Sequence, residues 1–218
     1  MIHIFSSGIK RLPHLEAFLA PEYETYKDSD AVVGWGKKET AKKAISYAKE
    51  HHLPYIALED GFLRSVGLGV KNAPPLSILV DPVGVYYDAS LASCIEADCV
   101  HYEEWLTSEL ATRAQSAIER IVSSDFSKYN CTPLCPSDWP GPDNGAVKGP
   151  YVLCIDQTQG DASVRLGAAY AESFRRMLED AVNDNPQATV LIKTHPDVLA
   201  GAKKGYLTQA LEAIDWTG

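Results

Sequence analysis

Short apolar runs alternate with polar stretches of helical period along the first part of the chain. Met1 to Phe5, Ala31-Val32-Val33-Gly34-Trp35, Tyr55-Ile56-Ala57-Leu58 and Leu76-Ser77-Ile78-Leu79-Val80 are four or five residues long and rich in Val, Ile and Leu. That length and composition predict buried strands. Between the second and third runs, Lys38 to His52 carries Ala41, Ala44, Ile45 and Ala48 at helical spacing, with Thr40 near its start. A helix there makes a β-α-β unit, and the usual crossover makes its two strands parallel. From Trp105 to Val122, Leu106, Leu110, Ala114, Ala117, Ile118 and Ile121 recur on one face, so a long amphipathic helix is predicted.

The pattern then breaks. Thr132 to Pro150 holds Pro133, Pro136, Pro140, Pro142 and Pro150 with Gly141, Gly145 and Gly149, a composition that sustains neither helix nor ladder and predicts a linker. Alternation resumes with a strand over Tyr151 to Ile155, a helix over Ala162 to Val182 and a strand over Thr189 to Ile192, followed by a short helix from Tyr206 to Ile214. The reading is an α/β chain with a Rossmann-like domain over 1–130, a Pro/Gly-rich linker over 131–150 and the start of a second domain over 151–218. Two strands are too few to complete an open parallel sheet covered on both faces. The second domain is therefore expected to be truncated.

With 45% hydrophobic and 22% charged residues among 218, the chain has an ordinary globular composition. A net charge of −9 argues against a nucleic-acid partner, which needs clustered Lys and Arg to neutralise phosphates. It argues equally against electrostatic docking on anionic lipid. Met1-Ile2-His3-Ile4-Phe5 meets Ser6-Ser7-Gly8 before a signal-peptide core develops. No apolar run approaches the ~20 residues that span a bilayer, so the expected compartment is the cytoplasm, with peripheral contact at the inner membrane left open. The five cysteines (Cys94, Cys99, Cys131, Cys135, Cys154) form an odd set without paired CxxC motifs. They read as reduced packing residues, and no metal site is expected. Cys131 and Cys135, close together in the Pro-rich stretch, could clip a loop, but a reducing cytosol disfavours it.

Three polar segments stand at the ends of apolar runs: Leu58-Glu59-Asp60-Gly61-Phe62, Asp156-Gln157-Thr158-Gln159-Gly160-Asp161 and Lys193-Thr194-His195-Pro196-Asp197. Side chains so placed lie at the carboxyl edge of a sheet, where open α/β proteins bind ligands. His195 with Pro196 sits on a strand-to-helix turn, and with Lys193 can receive an anion. A solvated turn histidine fits those residues equally well. Asp161 follows Gly160 and precedes a helix, so it reads either as a site carboxylate or as an N-cap. Glu59 and Asp60 read as site carboxylates or as a surface turn. Together the segments supply two carboxylate clusters and an anion cradle, the parts needed for transfer from an activated phosphosugar. The P-loop, H-E-x-x-H and G-x-S-x-G patterns are missing, and Gly34-Trp35-Gly36 lacks the third glycine of a dinucleotide fingerprint. A metal-dependent sugar-phosphate hydrolase on an unrelated α/β fold is a competing reading.

The strings Ser7-Gly8-Ile9 with Pro13-His14-Leu15, Leu58 to Ser65, Pro74-Pro75-Leu76-Ser77, Tyr86-Tyr87-Asp88-Ala89-Ser90, Ser127-Lys128-Tyr129-Asn130, Asp156 to Asp161 and His195-Pro196-Asp197 occur in an order that resembles the capsule polysaccharide biosynthesis proteins of the KpsC type. The resemblance runs over nearly the whole chain. It implies a GT-B-like pair of Rossmann-type domains with the active site between them, the second incomplete, and a retaining β-Kdo glycosyltransferase. It also implies CMP-Kdo as donor with no further cofactor, a lipid-linked Kdo acceptor, and capsule assembly proteins as partners. By the same resemblance Asp161 is the essential aspartate and Glu59 the acidic residue of the first domain, with Asp60 and Asp156 in support. The same resemblance gives His195 and Pro196 the CMP phosphate; Lys193, by its charge, and Gln157 are expected beside them on the donor, and Arg64, by guanidinium geometry, is expected to pair with the sugar carboxylate. Family members continue past the position of Gly218, with elements that complete the nucleotide pocket. A noncatalytic capsule assembly or export module that keeps the fold is the alternative.

Overall fold

A computed structural model describes residues 1–67, 73–128, 147 and 149–213. The chain divides into two compact units, Met1–Leu134 and Cys135–Gly218. The stretch read as a linker lies largely outside the described residues, as do Cys131, Cys135, Tyr129 and Asn130.

In the first unit, strands β1 (Ile2–Ile4), β2 (Ala31–Trp35), β3 (Tyr55–Asp60) and β4 (Ile78–Asp81) form a sheet in that spatial order. β1, β2 and β3 run parallel, and β4 returns antiparallel with Asp60 opposite Ile78. Three short helices, α1 (Ser7–Lys10), α2 (Leu15–Phe18) and α3 (Ala20–Thr25), fill the first crossover. Each has only four to six residues, too few for a helical period to register in sequence. The second crossover is the predicted helix, a 3-10 turn at Glu39–Ala41 running into α4 (Lys42–Glu50).

The pleat sends alternate residues of β2 and β3 to opposite faces. Ala31, Val33, Ile56 and Leu58 pack with Ile9 and Leu19 on one side, and Val32 packs with Ala44 and Ala48 of α4 on the other. Ile56, Leu58 and Leu19 are wholly buried, each contributing about 1.5–3 kcal/mol by leaving water. This alternation places Glu59 on the α4 side of the sheet and Asp60 on the reverse side.

Beyond β4 lie α5 (Cys94–Val100), α6 (Tyr102–Trp105) and α7 (Ser108–Ser123). Ser93 and Glu96 close a reciprocal capping box on α5. In α7, Leu110, Ala114, Ala117 and Ile118 of the predicted stripe are exposed and Ile121 is half-buried among the described residues.

In the second unit β5 (Tyr151–Ile155) pairs parallel with β6 (Thr189–Lys193), Ile155 opposite Lys193. Helices α8 (Ala162–Leu166), α9 (Ala171–Asp184), α10 (Pro196–Leu199) and α11 (Tyr206–Ala213) complete it. The single helix expected over Ala162 to Val182 is instead two, because Ala168 turns left-handed at φ 59° and ends α8. Cys154, Val164, Phe174, Leu178, Ala181 and Leu207 form the core, and Phe174 stacks on Tyr206 at 4.5 Å. Tyr151, Leu153 and Ile155 on the far face of β5 are exposed. No helix among the described residues is long and apolar enough to cross a membrane.

Candidate functional site

Parallel strands deliver their carboxyl ends to one edge of a sheet, and in the first unit that edge is where Glu59 sits. β3 runs on through Glu59 and Asp60, so these two are not a surface turn. Glu59 is buried, 7% exposed. Its Oε1 accepts the Tyr87 hydroxyl at 2.6 Å, and Lys38 Nζ stands 3.9 Å from Oε2. The Tyr87 oxygen in turn accepts the Lys37 main-chain N–H at 3.2 Å. Tyr55 donates to the Gly36 carbonyl at 2.6 Å.

Gly36 is required at this crossing. A Cβ there would lie 2.0 Å from Glu59 Oε1 and 2.3 Å from the Tyr87 oxygen, and its φ is +49°. Burial, followed by the hydrogen bond to Glu59, pushes the Tyr87 phenol well above its ordinary range. Burial and then the nearby Glu59 charge do the same to Tyr55. Both remain neutral hydroxyl donors at physiological pH. On its sheet face Glu59 shares a cavity of about 30 Å³ with Ala57, Asp81, Tyr86 and Cys94.

Beside this group Lys37 pairs with the buried Asp88, which also accepts from Ser90 N–H and Oγ. Burial alone raises the Asp88 carboxyl, but the hydrogen bonds from Lys37 and Ser90 outweigh it and hold it at about 2. A carboxyl lowered on folding adds stability above its unfolded pKa and loses it as pH falls through the folded value, here between pH 3.8 and about 2. Replacing Lys37 with Met is expected to remove about 2 kcal/mol at neutral pH. Thermal midpoints of parent and variant, measured against pH, should converge as pH falls towards 2. A constant gap would show that the pair contributes nothing through ionisation.

Asp60 points the other way and accepts Arg64 Nε at 2.6 Å. Arg64 is itself buried, with Nη1 donating to Ser65 Oγ and to the Ala73 carbonyl at 2.8 and 2.9 Å. The sequence-based assignment of Arg64 to a sugar carboxylate thus meets a guanidinium committed inward. Its hydrogen bonds tie the turn after β3 to the segment before β4.

In the second unit the Asp156–Asp161 segment and the Thr194-His195 turn leave one edge, since β5 and β6 are parallel and Asp156 N–H bonds the Lys193 carbonyl at 2.9 Å. Asp156 is 1% exposed. Its Oδ1 accepts from the N–H groups of Gln157, Tyr206 and Leu207 at 2.8, 2.9 and 2.8 Å. It therefore caps the start of α11 from across the sheet edge, a structural carboxylate rather than an open one. Gly205 makes room for it, because a Cβ there would lie 2.0 Å from Asp156 Oδ2.

Asp161, half-buried, is the N-cap of α8, with Oδ1 accepting Ser163 N–H at 2.9 Å and Ser163 Oγ at 2.8 Å. These bonds hold one oxygen and fix the direction of the other. Gly160 before it adopts φ +81°. Gln157 is half-buried at the same edge, and Lys193 is exposed.

His195 caps α10, Nδ1 accepting Asp197 N–H at 3.1 Å, with Pro196 in the first turn. The capping bond leaves the proton of the neutral ring on Nε2, directed away from the helix. α10 has one turn only, so its dipole adds little. An anion would have to be met here by side chains, the expected ones being the His195 Nε2–H and the Lys193 ammonium.

The structure thus gathers the predicted residues into two sets, Glu59 in the first unit and Gln157, Asp161, Lys193, His195 and Pro196 in the second. Sequence reasoning missed the contacts that Tyr87 and Lys37 make with Glu59 and Asp88. Only the Tyr86-Tyr87-Asp88 string hinted at them.

The architecture is that of a mixed α/β protein whose acidic and basic groups collect at the carboxyl edges of parallel strands. The chain belongs to the capsule polysaccharide biosynthesis protein family, whose model matches residues 30–135 and 141–215, in agreement with the resemblance read from the sequence. It is 46% identical over 213 residues to the capsule polysaccharide modification protein LipA of Neisseria meningitidis serogroup A, covering 96% of this chain and 30% of that protein. It is 34% identical over 176 residues to the lipopolysaccharide-processing protein LpsZ of Rhizobium meliloti, covering 81% of this chain and 39% of that one. Among solved structures, the KpsC β Kdo 2,4 transferase of Thermosulfurimonas dismutans superposes with a TM-score of 0.81 at 45% identity, over 95% of this chain and 64% of that chain. The β Kdo 2,7 transferase of the same KpsC, at 23% identity and a TM-score of 0.51 over 82% of this chain and 51% of that one, shares the fold. The chain spans about 30% of the length of the meningococcal relatives it matches.

Proposed function

We propose that this chain belongs to a GT-B-like, retaining β-Kdo glycosyltransferase of capsule biosynthesis, moving β-Kdo from CMP-Kdo to a lipid-linked Kdo acceptor. It works with capsule assembly proteins at the cytoplasmic side of the inner membrane. The observation that carries the reading is the 45% identity to a β Kdo 2,4 transferase over 95% of the chain. Glu59, Asp161 and the basic turn supply matching chemistry. On this reading the linkage formed is 2,4.

The first unit serves the acceptor and the second the donor. A carboxylate oxygen of Asp161 bonds to the anomeric carbon while the bond from that carbon to the CMP phosphate oxygen breaks. The electron pair leaves with CMP, whose charge meets the Lys193 ammonium and the Nε2–H of His195, with Gln157 and Pro196 shaping the same edge. Glu59 then takes the proton of the acceptor hydroxyl, and the alkoxide displaces Asp161. Two inversions give retention. Kdo carries a carboxylate beside its anomeric carbon, so a covalent intermediate avoids a long-lived cation.

The test is transfer by the full-length protein given CMP-Kdo and a Kdo-terminated lipid. An acceptor one β-Kdo longer, with matching CMP release, is expected. CMP release that requires magnesium and leaves the acceptor unchanged would favour a hydrolase, and no CMP release at all would favour an assembly module.

A further inference from the structure

Glu59 is held by a residue that the reaction scheme above does not use. Tyr87 OH donates to Glu59 Oε1 at 2.6 Å, which leaves Oε2 as the oxygen facing Lys38 at 3.9 Å. A carboxylate that abstracts a proton must present one oxygen in a fixed direction, and a donor clamped on the other oxygen supplies that direction. Tyr87 is itself seated twice by one neighbour, since Lys37 donates its main-chain N–H to the Tyr87 oxygen and its ammonium pairs with Asp88. Asp88 N–H bonds the Val85 carbonyl at 2.8 Å, closing the turn that carries Tyr87. Gly36 allows the approach, as any side chain there would strike both Glu59 Oε1 and the Tyr87 oxygen.

We propose that Tyr87 is a positioning residue for transfer, clamping Glu59 by Oε1 so that Oε2 receives the proton of the acceptor hydroxyl. The inference rests on Glu59 being the base of the second step. Tyr87 has no part in the first step, in which Asp161 takes the sugar. Its loss should therefore separate the two half-reactions, which a general loss of structure would not do.

The experiment follows CMP release and acceptor extension in the full-length protein carrying Tyr87→Phe, with Glu59→Gln in parallel. For Tyr87→Phe the expected result is kcat down by ~10- to 100-fold, the cost of a misaligned reacting group, with acceptor KM within about twofold and the first-turnover burst of CMP intact. Gly36→Ala, which forces the same contact apart from the other side, should show the same split. Turnover of Tyr87→Phe within about twofold of the parent, or burst and turnover falling together in both variants, overturns the inference. If Glu59→Gln turns over normally, the base assignment itself falls and this inference with it. An impaired Glu59→Gln beside a fully active Tyr87→Phe removes the inference alone.

Discussion

Asp161→Asn in the full-length protein is expected to fold as the parent does and to transfer β-Kdo at least ~10³-fold more slowly, the scale of loss when a nucleophile is removed. Asparagine is the informative substitution because Asp161 does two things. Its Oδ1 caps α8 through Ser163 N–H and Oγ, and an asparagine oxygen caps about as well as an aspartate oxygen. The amide cannot attack a carbon as the carboxylate does. Asp161→Ala removes both functions and should also lower stability by about 1 kcal/mol. Acceptor extension and thermal midpoint measured on both variants separate the roles. An active Asp161→Asn would leave Asp161 as a cap only.

Glu59→Gln is expected to lower acceptor extension by ~10²- to 10⁴-fold, the usual contribution of a general base. The amide can still accept from the Tyr87 hydroxyl, so the packing around Gly36 and Tyr87 should survive. Because the base acts only when the acceptor attacks, CMP should still be released in the first turnover. Rapid-quench measurement of CMP against extended acceptor checks this. Equal loss of both would place Glu59 in donor binding instead.

The strands of this protein were legible because each is a compact apolar run, and β1, β2, β3, β5 and β6 all begin at or within a residue of the predicted position. The end of β3 was not legible. Glu59 and Asp60 are poor strand formers by type, and only pairing with Leu79 and Ile78 keeps them in the ladder, one on each face. That alternation decides the site, since it buries Glu59 beside Tyr87 and gives Asp60 to Arg64. The Tyr87–Glu59 bond spans 28 residues, beyond the reach of any local pattern. The break between α8 and α9 has no sequence signal because it turns on one left-handed alanine, Ala168. His195, by contrast, lies where its Pro196 neighbour predicted, at the first turn of a helix. The helix proved only one turn long, which moves the anion argument from dipole to side chains. Asp156, grouped with the site by its position after β5, is spent on capping α11.

In the proposed scheme Asp161 carries the sugar between two displacements. Mass spectrometry of peptides from full-length Glu59→Gln protein, quenched in acid after mixing with CMP-Kdo, tests it most directly. The peptide containing Asp161 is expected to gain the mass of one Kdo residue, which added acceptor then discharges slowly. An unmodified Asp161 peptide in protein that has released one CMP per chain before any acceptor is added, and that extends the acceptor once it is supplied, would contradict it.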